Sequence, residues 1–139
     1  MNSEERADLI VRSAEKLTSD ERADLLERIS AIRDREAATA YAHLVPAAEK
    51  AVGATMLRTR DSRSVMIRRF VALRMRKDGY SIHEIAGAMG IDHSTVSHYI
   101  RTMKAAFELP NVFRNDIQLY HDFTNIANEQ VREQEGRDA

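Results

Sequence analysis

The chain of 139 residues has no cysteine, no tryptophan, only five glycines and two prolines, and few aromatic side chains. Without cysteine there is no disulfide, no thiolate zinc site and no cysteine nucleophile, which suits a reducing compartment. Glycine and proline stand at less than half their average usage, so the backbone has few places to break. With Ala, Arg, Glu and Leu throughout, that scarcity predicts an all-α protein. No run approaches 18 apolar residues, and Met1 to Arg12 alternates charge where a signal peptide would have an apolar core. The expectation is a cytoplasmic protein with no membrane partner.

Charge of one sign is also lacking overall, since the formal net charge is −1, but its distribution is uneven. Residues 1–50 carry 8 basic and 11 acidic side chains, residues 51–107 carry 10 and 4, and residues 108–139 carry 3 and 7. A basic middle between acidic ends points to a surface for a polyanion. A solvated charged face is the plainer alternative, and the motifs in that middle decide between them.

Three sections follow from the pattern. Residues 1–57 open with a near-repeat, Ser3-Glu4-Glu5-Arg6-Ala7-Asp8-Leu9-Ile10 returning as Ser19-Asp20-Glu21-Arg22-Ala23-Asp24-Leu25-Leu26. Each copy starts with a serine and acidic residues suited to a helix N-terminus, and Thr18 with Glu21 forms a capping box. These predict two short amphipathic helices folded as a hairpin, the second running on toward Pro46; the Ala-rich residues 37–57 are expected to be helix packed within the chain, with a homodimer interface through the N-terminal helices as the sharper alternative. Residues 58–108 hold the basic helix and the motif below. Residues 109–139 predict an amphipathic helix on Phe113, Ile117, Tyr120, Phe123, Ile126 and Val131, fraying from Glu133 to Ala139.

Within the middle section, Ser81 and Glu84 form a capping box, Gly90 can end the helix in the left-handed conformation, and Asp92 caps the next helix. Ile85, Met89, Ile91, Val96 and Tyr99 supply contacts between the two helices, and Ala86 lets them cross closely. Cap, small residue, turn glycine and apolar positions agree on a helix-turn-helix. The second helix offers short polar side chains able to reach base edges in a major groove: His93, Ser94, Ser97 and His98. Eight basic residues lie between Arg58 and Lys77 against one acidic residue, Asp61. Arg63, Arg68 and Arg69 among them are expected to meet phosphates, joined by Arg101 and Lys104. The apolar side chains crowding the same helix require that some of these arginines sit elsewhere.

The run Asp92-His93-Ser94-Thr95-Val96-x-His98, preceded by Ser81-Ile82-x-Glu84-Ile85, resembles the C-terminal DNA-binding domain of the bacterial replication initiator DnaA. The resemblance spans about residues 60–107. It implies that Asp92, His93, Ser94 and Thr95 sit at the major groove, that a basic loop upstream reaches the minor groove, and that Arg63 and Arg68 correspond to arginines there. Ser81 enters the expected DNA surface on the same ground. The chain departs from the pattern in having Gly90-Ile91 where the family has Gly-Gly-Arg, and Ile67 where it often has proline. No Gly-x-x-x-x-Gly-Lys-Ser/Thr loop is present, so the expected protein is no ATP-driven initiator.

His93 and His98 are five apart, about 140° around a helix, which does not suit a shared metal. No metal, cofactor or catalytic group is expected, because no serine or carboxylate stands in a nucleophile or acid–base setting. Thr95 and His98 admit structural roles as well as DNA contact. The expected function is a sequence-specific duplex-DNA regulator of transcription or replication, bacterial or phage-encoded and associated with the nucleoid. Two alternatives stay open: a DNA-recognition subunit of a larger assembly such as a phage small terminase, and a protein-interaction module.

Overall fold

A computed structural model describes residues 2–138, and all regular structure among them is helical. The order is α1 (Ser3–Glu15), α2 (Ser19–Val52), α3 (Ser62–Lys77), α4 (Ile82–Met89), α5 (His93–Glu108) and α6 (Arg114–Asp138). The residues divide into two units, one ending at Arg35 and one beginning at Glu36, so the division falls inside the long helix α2.

In the first unit the caps lie one residue earlier than the repeat's serines. Asn2 accepts the Glu5 N–H at 2.8 Å, and Glu5 returns a bond to the Asn2 N–H at 3.3 Å. Thr18 and Glu21 form the same reciprocal pair at 3.2 and 3.1 Å. Ser3 and Ser19 are therefore first helical residues and not caps. α1 buries no residue, and its packing on α2 is slight. α2 runs beyond the expected end near Pro46, continuing through it to Val52. Proline removes one backbone donor there without ending the helix, because Ala47 and Ala48 beyond it are anchored in the core.

The second unit is built around α3. Ile67, Phe70, Val71, Ala72, Leu73 and Met75 are all buried, so this helix is enclosed over most of its circumference. Its closest neighbour is α5, which contributes Val96, Tyr99, Ile100 and Met103, while α4 adds Ile85 and Ala86. From the Ala-rich part of α2 come Ala37, Leu44, Ala47 and Ala48, all buried in this core. α6 closes the core with Tyr120, Phe123 and Ala127. Phe70 meets Tyr120 edge-on at 5.5 Å between ring centroids and stacks on Phe123 at 6.0 Å, arrangements favoured by the ring quadrupoles. α6 is helical to Asp138; Ala139 lies outside the described residues.

Phe70→Ala should lower unfolding free energy by about 3–5 kcal/mol, the cost of lost burial plus the cavity left behind. Urea denaturation followed by circular dichroism measures it.

Candidate nucleic-acid interface

The turn between α4 and α5 is fixed by short-range bonds. Ser81 accepts the Glu84 N–H at 3.1 Å, and the Glu84 carboxylate accepts the Ser81 N–H at 2.8 Å. α4 ends at Gly90, whose φ of 67° and ψ of 33° are the left-handed values that glycine adopts without a Cβ penalty. The Ile91 N–H then reaches back to the Ala86 carbonyl at 3.2 Å. Asp92 starts α5, its carboxylate accepting the Ser94 N–H at 3.3 Å and the Ser94 hydroxyl.

These constraints aim α5 with one side inward and the other out. Val96, Tyr99, Ile100, Met103 and Ala106 are buried. On the opposite side Ser94, Ser97, His98, Arg101 and Lys104 follow at three- and four-residue spacing, so one stripe carries them. His93, Ser94, His98, Arg101 and Lys104 are exposed, whereas Thr95 and Ser97 are half-buried. The Ser94 hydroxyl donates to Asp92, so its lone pairs are what it turns outward. Ser81, half-buried, has its side-chain oxygen occupied by the cap.

A pairing that sequence spacing did not suggest lies beside this stripe. The rings of His83 and His93 are 5.0 Å apart, between the first turn of α4 and the first residue of α5. His93 Nδ1 also stands 3.5 Å from an Asp92 oxygen. The available signal was positional, since each histidine directly follows or nearly follows a cap, and the two helix starts converge at this turn. No group of three or more metal-ligating side chains occurs among the described residues.

The upstream basic residues divide by role. Arg58, Arg60 and Arg63 are exposed on the loop before α3 and on its first turn. Arg68 turns back to that loop, donating to the Thr59 carbonyl at 2.8 Å and to the Leu57 carbonyl. Buried Ser64 accepts the Leu57 N–H at 3.0 Å, and the Met56 N–H donates to Glu49 at 2.7 Å. Arg69 is half-buried, and its Nε is enclosed without a hydrogen-bond partner among the described residues. Arg74 binds Asp78 through Nε at 3.0 Å and Asn128 at 2.8 Å. Arg76 holds the Tyr80 carbonyl at 3.0 Å, and Lys77 lies over the Tyr120 and Phe107 rings at 5.1 and 5.4 Å. Several of the eight cations thus serve the fold itself.

The arrangement is a short positioning helix, a glycine turn and a second helix with an exposed polar stripe. Residues 64–108 match the family model of a homeodomain-like domain. In the structure these residues form a helix-turn-helix, α4 and α5 joined at the Gly90 turn. The match supports DNA binding through it, and nothing in it is specific to the DnaA type. Neither a curated protein nor a solved structure matches the chain. The matched residues run from within α3 to the end of α5, covering the three helices whose mutual packing sets the stripe. Among the described residues, no helix is long and apolar enough to cross a membrane.

Two capping carboxylates give the domain an acid limit. Asp61 is held well below the usual carboxylate range, chiefly by the Thr59 hydroxyl and then by the Ser64 N–H. Asp92 is lowered chiefly by the Ser94 hydroxyl, with burial opposing and the neighbouring His93 assisting. A folded-state pKa below the unfolded one contributes stability above the unfolded value and loses it as pH falls through the folded value. The melting temperature should therefore fall progressively below about pH 4. An Asp61→Asn, Asp92→Asn double variant should show a flatter acid limb in a melting-temperature series.

Proposed function

We propose that the protein reads duplex DNA sequence with the outward stripe of α5 and acts as a transcription or replication regulator, as a homodimer. The observation that carries this reading is the stripe itself: exposed His93, Ser94, His98, Arg101 and Lys104 on a helix whose other side is locked in the core. Short polar side chains near its start suit base edges, and the cations further along suit phosphates. Asp92 and the lone pairs of Ser94 are hydrogen-bond acceptors, so they favour the amino groups of cytosine or adenine. Half-buried Thr95 and Ser97 support the same turn of helix.

The loop before α3 supplies the second contact surface. Arg58, Arg60 and Arg63 reach phosphates or the minor groove, with Arg68 holding the loop in shape from behind. This assigns Arg68 a positioning role beside the phosphate role expected from sequence. The run from Asp92 to His98 supports a DnaA-type mode of reading within the homeodomain-like class, and Ser81 then stands at the edge of that surface as a cap. Cytoplasmic location beside a bacterial or phage chromosome accompanies the reading.

Selection from a random duplex library at varied salt tests it. A defined enriched motif is expected, palindromic if two copies read together. Salt-sensitive retention without a motif would instead favour a packaging subunit of the small-terminase kind. His93→Ala and Ser94→Ala should each cost about 1–3 kcal/mol at particular base pairs and little on random DNA. Arg60→Ala should weaken binding to all sequences and reduce the salt slope by about one. Equal losses for all three variants on selected and random duplexes would overturn the base-reading assignment.

A further inference from the structure

Base reading by α5 leaves His83 without a task, although its ring stands beside the reading surface. It is the second residue of α4 and is exposed. Its ring centroid lies 5.0 Å from that of His93, the first residue of α5. In a helix-turn-helix docked in the major groove, the second helix reads base edges while the first crosses the sugar-phosphate backbone. With His93 at the groove, a ring in contact with it on the first turn of α4 stands where that backbone passes. The partial positive charge of the α4 N-terminus falls at the same place.

We propose that His83 grips a backbone phosphate of the duplex and takes up a proton to do so, which makes DNA affinity rise as pH falls. The inference rests on the DNA-binding reading above and adds to it a contact on α4 and a regulation by pH. The surroundings of the ring pair select an outside anion as the partner. Histidine changes its charge between about pH 5 and 8, and two imidazolium rings in contact repel each other. The carboxylates beside the pair are engaged elsewhere. Glu84 accepts the Ser81 N–H at 2.8 Å, while Asp92 holds Ser94 and stands 3.5 Å from Nδ1 of His93.

The helices packed around α4 bring mostly like charge. α3 carries six cations and no carboxylate, and α5 adds His98, Arg101 and Lys104, with Glu108 only at its far end. A positive His83 therefore meets more cations than anions within the domain. A phosphate oxygen reverses that balance, because a charged imidazole donates to it a charge-assisted bond about twice as strong as a neutral one. By linkage, a ligand that favours the protonated ring binds more tightly where that form is more populated. A base edge is the poorer partner for this ring, since neutral imidazole already offers one donor and one acceptor and no proton need move.

Titration calorimetry of the full chain with a mixed-sequence duplex of about 20 base pairs tests this, at low and constant salt. A phosphate contact carries no sequence information, so no motif need be known. Run at about pH 7 in two buffers of different ionisation enthalpy, the wild type should take up more than about half a proton per chain bound. Its affinity should rise about tenfold from about pH 8 to about pH 6. His83→Gln keeps a polar side chain that does not titrate, at an exposed position where the fold does not depend on it. It should bind like the wild type at about pH 8 and lose most of both the uptake and the acid gain. Duplex binding without proton uptake, or uptake that His83→Gln retains in full, would overturn the proposal and leave DNA reading intact. Absence of duplex binding at every pH would overturn both.

Discussion

Helix α3 has almost no outward face to spare, and this sets the terms for the rest of the second unit. Enclosing Ile67, Phe70, Val71, Leu73 and Met75 requires neighbours on several sides at once, supplied by α2, α4, α5 and α6. Full burial of each such side chain is worth about 1.5–3 kcal/mol, so their sum outweighs any single polar contact on the surface. α5 is held in one rotation about its axis because Val96, Tyr99, Ile100 and Met103 must meet α3. Whatever the opposite side of α5 presents is therefore decided by packing rather than by flexible side chains finding their own positions.

The same enclosure explains the fate of the arginines. A helix so deeply buried leaves its long cations only the rim, and several take the partner the rim offers there. Arg74 finds Asp78 and Asn128, Arg76 the Tyr80 carbonyl, Arg68 the carbonyls of the preceding loop. Lys77 keeps its charge over two rings, an attraction to their negative faces. A count of positive charges along the chain therefore overstates the charge directed at a partner.

What was legible in the sequence was what depends on near neighbours. The Ser81–Glu84 box, the left-handed Gly90 and the Asp92 cap each involve residues a few positions apart, and their chemistry admits few alternatives. The alternation of buried and exposed positions on α5 was readable for the same reason, since helical period fixes it. Partners chosen by tertiary structure were not legible. The Arg68 clamp spans nine and eleven residues, Arg74 reaches Asn128 fifty-four residues on, and His83 meets His93 across a turn. Pro46 was a plausible helix end, and only the core anchorage of Ala47 and Ala48 shows why the helix continues. The repeat marked two tandem amphipathic helices, whose termini lie within a residue of its serines, while the partners of α1 are not encoded in any local spacing.

One consequence of the α4–α5 turn concerns change over evolutionary time. Its shape rests on Ser81, Glu84, Gly90 and the Asp92 cap with its Ser94 partner, while positions 98, 101 and 104 are exposed to solvent and outside the core. Surface substitutions of that sort usually shift stability by no more than about half a kcal/mol. The scaffold can therefore exchange the letters on its outward stripe almost independently of its own survival. A lineage of such chains could diversify in what it recognises long before it diverged in fold.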